Sequence, residues 1–125
     1  MYETGGTSQV AAAAAVLARA FADDPFFSHA LSDPDERWRL LPPFMTAATR
    51  YGLLFGEVYV TAGPVEASAI WLPPGGGILT AERRERAGMT AVVSAFSDGA
   101  RARFAAMAQH MDIIRERARS ISWCD

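Results

Sequence analysis

The 125 residues have the length of one ordinary domain, half of them hydrophobic and 21% charged, which excludes a disordered chain and a fibrous repeat. A net charge of −2 and a pI near 5.6 argue against nucleic acid as a partner, because phosphate neutralisation needs a concentrated basic face. All twelve basic residues are arginine, so a Schiff-base lysine and a P-loop lysine are excluded outright. The single cysteine, Cys124, allows no intrachain disulfide, and a reducing, cytoplasmic setting fits it best. The longest apolar run, Val10 to Ala18, is far below the ~20 residues needed to span a bilayer, so no membrane partner is expected.

In chain order, residues 1–6 read as a tail, at most a stub of strand. Thr7 or Ser8 is a candidate N-cap for a helix from Gln9 to Ala22, in which Val10, Ala13, Ala14, Leu17 and Phe21 form one stripe. Asp24-Pro25 ends it, because proline disfavours α conformation in the residue before it. Phe26 to Leu31 makes one or two helical turns. Asp33 then reads as an N-cap, with Pro34 at N1 and Glu36 at N3 closing a capping box. The helical period continues to about Phe55, and Pro42-Pro43 predicts a kink or a second helix starting at Pro43.

The period changes at Glu57-Val58-Tyr59-Val60-Thr61, which is β-branched and aromatic. Val65 to Leu72 alternates likewise, and the two strands around Gly63-Pro64 make an antiparallel hairpin. Pro73 to Gly77 is a loop. Thr80 caps a helix over 81–87, Gly88 breaks it, and a short apolar helix runs from Met89 to Phe96. Asp98 is read as the cap of a last helix to about Arg119, striped by Phe104, Met107, Ala108, Met111 and Ile114. Ile121 to Cys124 has the composition of a strand start.

Few catalytic constellations are present. There is no Gly-x-Ser-x-Gly elbow, no His-Glu-x-x-His and no Cys-x-x-Cys, and two histidines with one cysteine make no recognisable zinc site. Gly75-Gly76-Gly77 lacks the Gly-Lys-Ser/Thr of a P-loop and reads as a flexible turn. Asp23-Asp24 and Asp33-Asp35-Glu36 are explained by capping before acid–base work, His110 by partial burial before catalysis. Glu82 to Arg86 is most simply a solvated helical face.

The string Leu17-Ala18-Arg19-Ala20-Phe21-Ala22-Asp23-Asp24-Pro25-Phe26-Phe27 resembles the first helix and following loop of the GNAT family of N-acetyltransferases. Further pieces follow in the family's order: Arg37-Trp38-Arg39, Gly56 to Val60 as a strand, and Ala69 to Gly75 as the next strand and its exit. Residues 9 to 119 fit this pattern. The resemblance implies an α+β fold, the helix-rich N-terminal half of an acyl-CoA N-acyltransferase, with four to six helices around a short antiparallel hairpin. It implies acetyl-CoA as the cofactor of the complete fold and a small-molecule amine as acceptor.

By the same resemblance, Asp24, Phe26, Phe27, Tyr59 and Trp71 are substrate-binding wall residues, with Asp24 attracting the cationic amine; core and cap remain the competing roles. The family's pyrophosphate loop, Arg/Gln-x-x-Gly-x-Gly/Ala, has no counterpart, since no glycine follows Gly99. No acetyl-CoA binding is therefore expected of this chain alone, whether it is a shortened gene product or an expressed fragment. The alternatives are a non-catalytic interaction module and one half of a split enzyme. Both point to a homo-oligomer or a complementing chain, because half a sheet leaves an open edge.

Overall fold

The computed structural model describes residues 2–73 and 80–119. Over these the chain is α+β and mostly helical: six α-helices and a three-stranded antiparallel sheet. The predicted Pro74-to-Gly77 part of the loop, the strand start at Ile121 to Cys124 and Cys124 itself lie outside the described residues.

Strand β1 (Tyr2–Thr4) is the stub that the sequence allows, and it pairs with β2 (Glu57–Thr61) in the register Thr4 to Tyr59. The expected hairpin thereby gains a third strand. The Gly5 amide extends this pairing by donating to the Val58 carbonyl at 2.7 Å. Strand β3 (Ser68–Trp71) flanks β2 on its other side, with Glu57 opposite Trp71 and Tyr59 opposite Ala69. It starts three residues later than the alternation at Val65 predicts. The Thr61 side chain explains the delay: its hydroxyl accepts from the Glu66 amide at 2.8 Å and donates to the Pro64 carbonyl at 3.1 Å. Those bonds hold residues 62–67 in a loop, with Gly63 at φ +76°.

Helix α1 (Val10–Phe21) enters through a short 3₁₀ turn over Thr7–Gln9, and neither Thr7 nor Ser8 caps it by its side chain. The Gly6 amide donates to the Gln9 side chain at 3.0 Å instead. Helix α2 (Pro25–Ala30) starts at Asp24, whose carboxylate accepts from the amides of Phe26 at 2.9 Å and Phe27 at 3.4 Å.

Helix α3 (Pro34–Phe55) is one helix, not two. Pro42 and Pro43 leave the carbonyls of Trp38 and Arg39 without their helical donors, but all four residues are exposed, so water can satisfy those acceptors. At the other end of α3, two glycines allow close approach to the sheet. A Cβ on Gly52 would lie 2.7 Å from the Ile70 side chain, and one on Gly56 would lie 2.1 Å from the Trp71 carbonyl.

Helix α4 (Ala81–Ala87) is capped by Thr80, which accepts from the Arg83 amide at 3.2 Å, and it ends at Gly88 with φ +89°. Helix α5 (Met89–Ser94) follows, and the last helix is α6 (Asp98–Arg119). The predicted caps at α3 and α6 need correction. Asp33 does cap α3, accepting from the Asp35 amide at 2.9 Å, but Glu36 does not close a capping box. Its carboxylate is buried and accepts from the Ser97 amide at 2.8 Å and the Ser97 hydroxyl at 2.9 Å. Ser97 in turn accepts from the Ala100 amide at 3.3 Å, so it holds the start of α6, while Asp98 pairs with Arg101. A buried carboxylate at a helix N-terminus gains charge-assisted donors and the favourable end of the helix dipole, which a local box in solvent cannot match.

The core lies between α1, α2, α3, α5 and α6. Leu17, Phe27, Leu31, Leu41, Phe44 and Phe96 are buried there. Its centre is aromatic, with Phe44 at 5.3 Å from Phe27 and 5.5 Å from Phe104, both edge-on. A smaller cluster of Ala13, Val58 and Val60 joins the inner face of the sheet to the helices.

Candidate functional site

The sheet has one covered face and one open face, and the pleat decides which side chains go where. Val58, Val60 and Ile70 point inward, packed with Ala13 and Leu53. Glu57, Tyr59 and Trp71 point outward. Register puts Glu57 directly opposite Trp71, and the Tyr59 hydroxyl donates a short hydrogen bond to the Glu57 carboxylate. That bond and the negative charge behind it raise the Tyr59 phenol above its ordinary value of 10.0.

Where these strands meet the end of α3, a cleft of about 720 Å³ opens. Residues 54–57 and 71–73 line it, and Gly56 lies directly against the Trp71 backbone. Arg83 of α4 lines it as well. Its guanidinium lies over the Phe55 ring at 4.8 Å, and that of Arg86 lies over the same ring at 5.4 Å. The Trp71 indole is 65% exposed, a large aromatic surface beside a carboxylate.

The five residues expected as acceptor walls divide between two places. Tyr59 and Trp71 share the open face of the sheet with Glu57, and Trp71 lines the cleft. Asp24, Phe26 and Phe27 belong to α2. Asp24 is occupied as its cap, and Phe27 is buried in the aromatic centre. Phe26 is half-buried, edge-on to Phe27 at 5.1 Å and to Phe104 at 6.0 Å. The cleft is lined by Trp71 and by none of Asp24, Phe26 and Phe27.

Glu57 and Arg83 were not singled out by the sequence. Strand register was the signal for Glu57, since it faces Trp71 only when the hairpin turns at Gly63-Pro64 and pairs residues whose numbers sum to 128. Arg83 read as one of several solvated charges, and its place in the lining of the cleft separates it from them, since Arg86 stacks on Phe55 as well. His110, expected to be partly buried, is exposed beside a 220 Å³ hollow lined with it by Phe26, Met107 and Met111, because none of the described residues covers it.

A third hollow of about 480 Å³ lies between α5 and α6, floored by Phe44, Val93 and Phe104. Among the described residues no cluster of three metal-ligating side chains occurs, and no helix is long and apolar enough to cross a membrane. No protein-family model matches the chain, and neither does any curated protein or solved structure.

Proposed function

We propose that the chain supplies the acceptor-amine side of a GNAT-type N-acetyltransferase and that these 125 residues do not bind acetyl-CoA by themselves. The observation that carries the reading is the cleft in which the Glu57 carboxylate stands across the strand pair from the Trp71 indole. A protonated amine is attracted to both: to the carboxylate by charge, and to the indole face by a cation–π contact worth about 0.5–1 kcal/mol at an exposed site. The order of elements, a strand, helices, then two strands, also supports it, being the order that the resemblance implies. In this reading Glu57 takes the role first given to Asp24, whose carboxylate is committed to two backbone amides.

The residues present do not fit the pyrophosphate of acetyl-CoA. No glycine follows Gly99, and the start of α6, which has the donors an anion needs, already holds the Glu36 carboxylate. A second anion there would be repelled.

Titration calorimetry with acetyl-CoA and with a simple arylalkylamine tests both halves. The amine is expected to bind at roughly millimolar Kd, to shift the Trp71 indole resonance, and to lose binding in Glu57→Gln. Acetyl-CoA is expected to give no heat. Micromolar acetyl-CoA binding overturns the second half, and an unmoved Trp71 resonance overturns the first.

A second reading, a non-catalytic interaction module or one half of a split enzyme, is favoured by a different observation. Met111, Ile113 and Ile114 are each nearly half exposed on the far part of α6. Their cover would come from a second copy or a complementing chain.

A further inference from the structure

We infer that the hollow between α5 and α6 is a binding site for an apolar monocarboxylic acid, a fatty acid or an arylalkanoic acid. It is separate from the cleft beside Trp71 and shares no lining residue with it. Packing explains why the hollow exists. Helix α5 packs on α3 and α4, whereas α6 packs chiefly on α2, so the space between these two consecutive helices is left unfilled. Small side chains keep it open, since Ala105 and Ala108 of α6 and Ala81 of α4 all line it.

The rest of the apolar lining is core material. Phe44 is buried in the aromatic centre, and Met89, Val93 and Phe104 pack against that same cluster. A ligand that covers this surface removes it from water, which favours binding in proportion to the area. The volume of about 480 Å³ falls within the roughly 300–1,000 Å³ of small-molecule sites.

Arg84 of α4, exposed and in the same lining, supplies the charge. Its helical neighbours three and four positions away are Thr80, Ala81, Ala87 and Gly88, none of them acidic. Among the described residues its guanidinium makes no hydrogen bond, ion pair or ring contact. Arg101, the other cation of the lining, is paired with Asp98 and donates to the Phe96 carbonyl. Arg84 is therefore one unmatched positive charge beside an apolar surface. A guanidinium offers two parallel N–H donors to the planar oxygens of a carboxylate. Asp112 also lines the hollow without pairing with Arg84, and its charge disfavours a doubly charged phosphate.

Octanoate, octan-1-ol and octyl phosphate share one chain and differ in the headgroup. Each is titrated into the intact chain below its micelle-forming concentration, while the methyl resonances of Met89 and Val93 are followed. Octanoate is expected to bind at roughly submillimolar Kd and at least about fivefold tighter than octanol, the gain of a charge-assisted contact at an exposed site. Arg84→Gln should bring octanoate down to the level of octanol and leave octanol unchanged. Arg84→Lys, which keeps the charge, should retain part of the difference. Ala108→Trp, which fills the hollow, should abolish binding.

Octanol or octyl phosphate binding as tightly as octanoate overturns the inference, as do methyl resonances of Met89 and Val93 that no ligand moves. So does octanoate binding that survives Ala108→Trp, which would locate it on the exposed end of α6. Shifts of the same methyls on dilution of the ligand-free chain would assign the hollow to a second copy and overturn it too. An unchanged amide spectrum for each variant establishes that the fold is intact.

Discussion

Glu57, Tyr59 and Trp71 form a small unit on the open face of the sheet, and its chemistry is measurable at a single proton. The Tyr59 phenol is raised chiefly by its hydrogen bond to Glu57 and secondly by that residue's charge. Raising a phenol's pKa favours its neutral form. The hydrogen bond therefore contributes fully below the ordinary value of 10.0 and is lost as pH rises through the higher folded value. Absorbance titration of the tyrosines should show one group deprotonating late, and Glu57→Gln should return it toward the ordinary value. A Tyr59 titration that Glu57→Gln leaves unmoved would remove the basis for this unit. At the same scale, capping at Asp24, Asp33 and Thr80 was legible because a cap needs only local neighbours. The destination of Glu36 was not, because its partner Ser97 lies 61 residues away.

The elements themselves were mostly readable, since hydrophobic period and Gly/Pro punctuation are local signals. Helices α1, α2, α4 and α6 fall close to their expected limits, and Gly88 divides α4 from α5 as read. Of the two outcomes expected at Pro42-Pro43, a kink or a second helix, the second does not occur, the residues whose carbonyls are freed being exposed; β3 starts late because Thr61 captures the preceding loop. Each outcome depends on what surrounds the segment.

The attachment of α6 is likewise tertiary. Glu36 holds its start, and Arg103 ties it to the end of α2 by donating to the His29 carbonyl at 3.0 Å and the Ser32 hydroxyl at 3.0 Å. Glu36→Ala is expected to lower stability by about 1–2 kcal/mol in urea unfolding and to speed amide exchange in the first turn of α6. Unchanged exchange there would show that Glu36 does not secure the helix.

For the molecule as a whole, the sheet is covered on one face by helices and the far part of α6 carries Met111, Ile113 and Ile114 nearly half exposed. Full burial of such side chains is worth about 1.5–3 kcal/mol each, and covering the half that is still exposed contributes roughly half of that, which favours self-association. Sedimentation velocity should show a species larger than 13.5 kDa at high concentration, reverting to monomer in an Ile113→Glu, Ile114→Glu variant. A monomer throughout would leave the interaction-module reading without support.

By itself the sequence determined the α+β class, the succession of helices and strands, and the chemistry that is excluded, because composition, period and turn residues act over a few neighbouring positions. Only the tertiary structure decided which charged and aromatic side chains meet. Strand register brought Glu57 to Trp71, and the packing of α4 on the end of α3 set Arg83 over Phe55. Packing of α2 against α3 and α6 turned Phe27 into core while Trp71 stayed exposed, although both are large aromatics. What separates them is the face of the element on which each stands, and that face is fixed by contacts between segments distant in the chain.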